Sequence, residues 1–336
     1  TIPVGFKVYI EVELTEHEAE LYDRQIRLWG LESQKRLRTA NVLLCGLSGI
    51  GAEIAKNIIL AGVKSVVFLD HREAKEEDNC SQFFIPVTAK GENRAEASLE
   101  RARSLNPMVE ITADKEKLKT KTEEFFKKFD VVVVTGAPTA ELVRIDKICR
   151  DNKLKFFACD VWGMFGYSFQ DLLEHEFVEH VMKHKIIDKK DNAVEMELIA
   201  SPKKSTMTFP PFQSVLNFDF KASAYVKKMK KCGPAFVILR VLQTFRDKFN
   251  RDPDSATRED DLKKLFKIRD EIASELVSDE AFCHVFAQIS PAAAIVGGQL
   301  AQEIIKAVSH KDPPYRNVFL FDPENCCGFI EDIGQD

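Results

Sequence analysis

The sequence predicts an α/β fold: a mostly parallel, Rossmann-like sheet with helices on both faces. Three observations predict it. Short, uniformly apolar runs such as Val42–Cys45 and Val131–Val134 read as strands buried on both faces. Stretches with helical spacing alternate with such runs through the first 171 residues, the pattern of a parallel sheet. One of these units, Asn41 to Asp70, joins strand, glycine turn, helix, strand and terminal acid. That arrangement holds nucleotides, with phosphates on the helix N-terminus and ribose hydroxyls on the acid.

Taken in order, residues 1–14 alternate loosely through Val8, Ile10, Val12 and Leu14, as a short strand or an ordered tail. Thr15 and Glu18 form a capping box that opens a helix running through Trp29 and ended by Gly30. At about 100° per residue, Tyr22, Ile26 and Trp29 share one face, while Arg24 and Arg27 point roughly the other way. After the glycine turn, Ile50, Ile54, Ile58 and Ala61 give the next helix its buried face, and Gly62 stops it. Val66–Leu69 is the second strand. There follow a helix over Asn93–Leu105, a strand over Met108–Ile111, a short helix over Thr122–Phe129, and the valine strand. Glu141–Arg150 is a helix, and Phe156–Val161 is a strand that the chain leaves at Trp162-Gly163.

From Leu172 to Gln288 this regularity fades. Lysines cluster at Lys189-Lys190, Lys203-Lys204 and Lys227 to Lys231, and helical stretches follow at Ala235–Phe249 and Asp260–Ser278. We read a mainly helical insert over 172–288, between a first part at 1–171 and a return at 289–336. The return holds a long helix, Pro291–Ser309, with Ala292, Ala293, Ala294, Gly297 and Gly298 suited to close packing, and a final strand, Asn317–Phe321.

Composition narrows the function classes. With 45% hydrophobic and 30% charged residues and a net charge of −5, the chain is not built as a general nucleic-acid binder. No apolar run approaches the ~18 residues of a membrane span, and no N-terminal stretch reads as a signal peptide. The cysteines (Cys45, Cys80, Cys149, Cys159, Cys232, Cys283, Cys326 and Cys327) are dispersed without any C-x-x-C pair, which points to a reducing compartment and away from a thiolate zinc site. The glycine turn itself has a flaw. Its order is Gly46, Ser48, Gly49, Gly51, so a Cβ and a hydroxyl stand where a phosphate needs clearance.

Several stretches together resemble one family, the adenylation domains of ubiquitin-like-protein activating enzymes. They are YDRQIRLWG at 22–30, the glycine unit with Asp70, NRAEASLERARSLNP at 93–107, FFACDVWGMFGY at 156–167 and ISPAAAIVGGQLAQEIIKA at 289–307. The resemblance covers nearly the whole chain except parts of the insert, and its first and last stretches are most similar to the smaller subunits of SUMO-activating enzymes. It implies a ThiF/MoeB-type adenylation fold. Family members that perform the chemistry adenylate the modifier's C-terminal glycine with ATP and Mg²⁺.

Against their motif this chain mostly departs. Ser81, in Cys80-Ser81-Gln82-Phe83, replaces a phosphate-binding arginine, and Arg94 replaces a lysine that it does not mimic at a close phosphate contact. Ala137 stands where a metal-binding aspartate is matched, and alanine cannot hold Mg²⁺. The resemblance therefore implies a vestigial site at Gly46, Ser48, Gly49, Gly51, Asp70, Arg94 and Ala137, with no metal or nucleotide of its own. It implies no catalytic cysteine either. Cys232 and Cys283 lack the family's motif, and a neighbouring His284 does not give a base the geometry to activate a thiol.

One feature matches. In the family the arginine equivalent to Arg24 crosses the dimer interface to the ATP γ-phosphate in the partner's site, with Gln25 and Arg27 as weaker interface candidates. The expectation is a regulatory subunit, inactive alone, that pairs with the catalytic large subunit to activate SUMO. The partner holds ATP and Mg²⁺. Neither nucleic acid nor membrane is involved, and the nucleus, with the cytoplasm second, is the expected location. The alternatives are a self-sufficient homodimer of the sulfur-carrier-activating type, an NAD-dependent oxidoreductase, and a scaffold with no role at any ATP.

Overall fold

The computed structural model describes residues 14–190, 193–219, 221–222, 226–227, 234–273, 276–322 and 327–334. The expected strand or tail before Leu14, Cys232, Cys326 and all of the Lys227–Lys231 cluster except Lys227 lie outside the described residues.

The chain builds a central sheet from β1 (Asn41–Cys45), β2 (Ser65–Leu69), β3 (Glu110–Asp114), β4 (Val131–Thr135), β5 (Lys155–Trp162) and β6 (Phe165–Asp171). After the ribbon β7 (Glu174–Lys190) and β8 (Ala193–Thr208), it is completed by β9 (Val318–Asp322) and β10 (Cys327–Glu331). The order across the sheet is β10-β9-β6-β5-β4-β1-β2-β3. Strands β3 to β5 are parallel, and β6, β9 and β10 extend the sheet antiparallel. Strand order reverses between β1 and β4, which opens a crevice at their carboxyl ends.

Alternate strand residues feed two core layers, as the pleat dictates. Val42, Leu44, Val66, Phe68, Val131 and Val133 meet the glycine helix Gly49–Ala61 and the long helix Ser290–Ser309. Leu43, Cys45, Val132, Val134 and Phe156 meet the helices Thr139–Asp151, Ala235–Phe249 and Arg258–Ala273 on the other side.

Several boundaries differ from the sequence reading. The single N-terminal helix is two, Glu16–Leu21 with its Thr15 capping box and Asp23–Trp29 ended at Gly30, and an unforeseen helix, Leu31–Leu37, follows. The first break falls at Tyr22, whose ring is buried and whose hydroxyl accepts from Asn106. The helix expected over 93–105 is capped by Asn93 and breaks at Ser98. Strand β6 went unforeseen because both its faces are buried, leaving no alternation to read. Asn317–Phe321 is not the last strand, since β10 pairs with it at the sheet edge.

The segment 172–288 needs the largest correction. It is helical from Phe212 on, but it opens in the β7–β8 ribbon. The clue is short: His175 and Phe177 are buried while Glu174 and Glu176 are exposed, a period of two hidden in a charged stretch. Its later helices share a core with helix Thr139–Asp151 and cover one face of the central sheet, so they belong to the same body.

Candidate functional site

A cleft of about 980 Å³ opens at the sheet's reversal point, over the ends of β1 and β4. The chain leaves β1 through Gly46 at φ +96°, a left-handed conformation, and a Cβ there would lie 2.2 Å from Thr135 Oγ1. A Cβ on Gly51 would lie 2.1 Å from the Gly46 carbonyl oxygen, so that glycine sets how closely the helix approaches β1. The helix starts at Gly49 with Ser48 as its N-cap residue, and the Ser48 side chain makes no capping bond. Buried Ser81 packs on Gly49.

The acid at the end of β2 is fully engaged. Asp70 accepts from Leu47 N at 2.8 Å, Arg72 N at 3.0 Å, Arg72 Nε at 2.9 Å and Arg72 Nη2 at 3.0 Å. A carboxylate offers about four lone-pair sites, so none is left for a ribose. Burial works to raise the Asp70 pKa, but Arg72 and these bonds outweigh it and hold the carboxyl below its ordinary value. The guanidinium lies between the two glycine turns: Nη2 is 3.2 Å from where a Gly46 Cβ would sit, and Nη1 is 3.1 Å from that of Gly136. It bridges the two turns at the floor of the cleft.

Other polar groups in and beside the cleft are paired. Arg94 forks onto Asp78 at 2.9 and 2.8 Å. Gln82 Nε2 donates to Leu47 O at 2.8 Å, and Ile50 N donates to Gln288 Oε1 at 3.4 Å. Ala137, buried beside Gly136, offers only its carbonyl, which accepts from Arg246 at 3.3 Å. Arg246 also bonds Asp160 Oδ2 at 2.6 Å and grips Asp252 through Nε and Nη2 at 2.8 and 2.9 Å. Asp160 accepts from Gly136 N, and Trp162 Nε1 donates to Asp252 at 2.7 Å beneath the guanidinium. Burial pushes the Asp160 carboxyl up, whereas at Asp252 the arginine outweighs burial and holds it low. Asp70, Asp78, Asp160 and Asp252 are thus each held by an arginine, and no three His, Cys, Asp or Glu side chains among the described residues come together as a metal-ligand set.

Arg24 lies elsewhere, on helix Asp23–Trp29. It is exposed and has no partner among the described residues. Arg27, also exposed, pairs with Asp23 at 3.0 Å. Gln25, half-buried, donates its Nε2 to Leu60 O at 2.9 Å within the chain. Leu21, Leu28, Leu31 and Leu60 are exposed on the same and neighbouring helices, Leu28 by 70%.

The ThiF family model matches residues 22–326. SUMO-activating enzyme subunit 1 of Homo sapiens is 43% identical over 335 residues, covering 96% of each chain. That of Xenopus tropicalis is 42% identical over 342 residues, covering 96% of this chain and 98% of its own, and that of Danio rerio is 41% identical over 334 residues, 95% of each. The chain belongs to the ThiF family, in the branch that holds SUMO-activating enzyme subunit 1. Among solved structures, E. coli MccB matches with a TM-score of 0.55 at 10% identity, over 94% of this chain and 72% of its own. PaaA matches with 0.58 at 12%, over 99% and 79%. At such identities these two speak for the fold alone.

Within this ThiF fold, Gly46, Ser48, Gly49, Asp70, Arg94 and Ala137 come together around the cleft, with Gly51 buried just behind it. Arg24, Gln25 and Arg27 are not part of it. Arg72, Gln82, Gln288 and Arg246 were missed by sequence reasoning. Only Arg72, two residues after the strand-end acid, carried a signal that local spacing shows.

Proposed function

We propose that this chain is the regulatory subunit of a heterodimeric SUMO-activating enzyme, which adenylates the SUMO C-terminus with ATP before a thioester forms on the catalytic subunit. In this reading the partner binds ATP and its Mg²⁺, and Arg24 reaches across to the γ-phosphate. A guanidinium is a planar, permanently charged, bidentate donor, suited to fixing a triphosphate and neutralising its charge. The carrying observation is a contrast: the chain's own cleft is spanned by Arg72 over a saturated Asp70, while Arg24 stands exposed with no partner among the described residues.

Other features support the pairing. The relatives are named as a numbered subunit. The exposed leucines around Arg24 form an apolar surface of the kind that a stable interface covers. A self-sufficient homodimer and an oxidoreductase both need a nucleotide in this chain's cleft, where Asp70 has no free acceptor. We propose the nucleus as the location of the assembly, on the family resemblance and not on the lysine clusters.

The test is SUMO-dependent ATP–pyrophosphate exchange by the lone chain, the heterodimer, and the heterodimer with Arg24→Ala. The lone chain is expected to be silent. The variant is expected to lose about 10²-fold, the size seen when a positioned charge donor is removed, while sedimentation still shows a one-to-one complex. Exchange by the lone chain, or an unchanged rate in the variant, overturns the reading.

A further inference from the structure

The C-terminal turn of the glycine helix leaves carbonyls without intrahelical donors, as every helix end does. Here side chains bond the carbonyls of the last three helical residues, Ile59 to Ala61, and that of Val63 just beyond the cap. Asn106 Nδ2 donates to Ile59 O at 3.0 Å, Gln25 Nε2 to Leu60 O at 2.9 Å, Gln34 Nε2 to Ala61 O at 2.9 Å, and Arg38 Nη1 to Val63 O at 3.1 Å. Asn106 also holds the Tyr22 hydroxyl at 2.9 Å, and the Gln34 amide oxygen accepts from Trp29 Nε1 at 3.0 Å.

Two of these ties grip the helix that carries Arg24. Gln25 binds it directly, and Trp29 binds it through Gln34. Gln25 and Trp29 are four residues apart, so they lie one above the other on a single face. Two anchors on one face fix the rotation of a short helix about its own axis. Arg24 lies about 100° round from Gln25, which leaves its side chain outside the anchored face and in solvent.

We propose that Gln25 and Gln34 are positioning residues: they lock the Arg24 helix onto the carbonyl end of the glycine helix and so set the direction in which the guanidinium is presented to the partner's ATP. This rests on the reading of Arg24 above. The anchors act through Arg24 and touch no substrate. A misplacement of about 1 Å in a positioned group costs up to about 10²-fold in rate, so losing one anchor of two should cost about tenfold.

The test is a double-mutant cycle in the reconstituted heterodimer, measuring the rate of SUMO adenylate formation at saturating ATP and the KM for SUMO. Gln25→Met keeps the length of the side chain and removes the amide that donates to Leu60 O; it also removes an Oε1 that is buried without a donor among the described residues. Gln34→Met is the second variant. Each should slow adenylate formation about tenfold with Arg24 present and less than twofold in an Arg24→Ala background, with the KM for SUMO and the one-to-one assembly unchanged. Equal losses in both backgrounds, or no loss with Arg24 present, overturn the proposal while leaving Arg24 in its role. If Arg24→Ala itself costs nothing, the functional reading falls and the proposal with it.

Discussion

Asp146 and Asp171 make a buried acid pair whose titration is readable from the structure. Both are buried, on helix Thr139–Asp151 and at the end of β6. Asp171 accepts from Leu173 N at 2.9 Å and from Arg150 Nη1; Asp146 Oδ2 accepts from Phe212 N at 2.8 Å. The other oxygen, Asp146 Oδ1, is buried and has no donor, and Asp171 is within hydrogen-bonding reach. One arginine charge faces two carboxyls, so a proton on Asp146 satisfies both. Burial, and then the Asp171 charge, pushes Asp146 up to about 8. In the unfolded chain the same group titrates near the ordinary value of about 3.9. Between these values the native state holds a proton that the unfolded chain has lost. Stability from this group is therefore fully present at acid pH and declines as pH rises toward 8, by at most about 1.4 kcal/mol per unit. At about 2.1 cal/mol/K per residue over a chain of this length, that is about 2 °C in Tm per unit. In Asp146→Asn the amide oxygen keeps the Phe212 bond and the amide nitrogen donates to Asp171 permanently. Thermal unfolding of both proteins from pH 5 to 9 should show the variant gaining on wild type by about this slope up to pH 8, then levelling. A difference that does not vary with pH, or that moves in wild type's favour as pH rises, refutes the shared proton.

Other perturbations read the cleft. Arg246→Met leaves Asp160 and Asp252 without their buried cation and should cost about 3–5 kcal/mol, seen as a Tm lower by about 4–7 °C; a loss below 1 °C would show that those acids find other partners. Arg72→Ala removes a positive charge, yet should increase binding of a fluorescent ATP analogue by the lone chain by about tenfold, since it frees Asp70 and clears the turn. Binding that stays flat or weakens would show that Arg72 is not what occupies the cleft. Its SUMO-dependent exchange should stay at background.

The sheet was legible where physics is local. β1, β2, β4 and β5 are short apolar runs because parallel strands are buried on both faces, and helix Ala235–Phe249 lies where its spacing put it. Gly46, Ser48, Gly49, Asp70, Arg94 and Ala137 line one cleft, because one glycine turn and one strand end supply most of them. What stayed hidden depends on distance in the chain. Gln288 reaches Ile50 across 238 positions and Arg246 reaches Asp160 across 86, pairings that no periodicity announces. The Gln25 bond stayed hidden for a related reason. Its angle on the helix left it near the arginines, and only the position of Leu60 O shows the intrachain bond it makes. The ribbon was missed because its inward positions carry His175 beside Phe177, and a histidine among glutamates does not read as core.

The glycine turn survives in a chain whose cleft is spanned by its own arginine, and the geometry supplies a reason unrelated to nucleotide. Gly51 lets the glycine helix sit hard against β1, and the far end of that helix, about 18 Å away at 1.5 Å per residue, is the socket for Gln25 and Gln34. On the proposed role of Arg24, the turn sets that residue's position through a rigid rod. In Gly51→Ala the new Cβ would start 2.1 Å from the Gly46 carbonyl oxygen. Reaching ordinary contact at 3.4 Å requires a shift of about 1.3 Å, and close-packed interiors transmit such strain along the helix instead of absorbing it. The heterodimer with Gly51→Ala should then form SUMO adenylate about 10–10²-fold more slowly, even though Gly51 touches nothing in the partner's site. Pairing Gly51→Ala with Arg24→Ala should add less than twofold. An alanine that lowers Tm but leaves the single-turnover rate at saturating ATP untouched would show that the turn and the arginine are not mechanically linked.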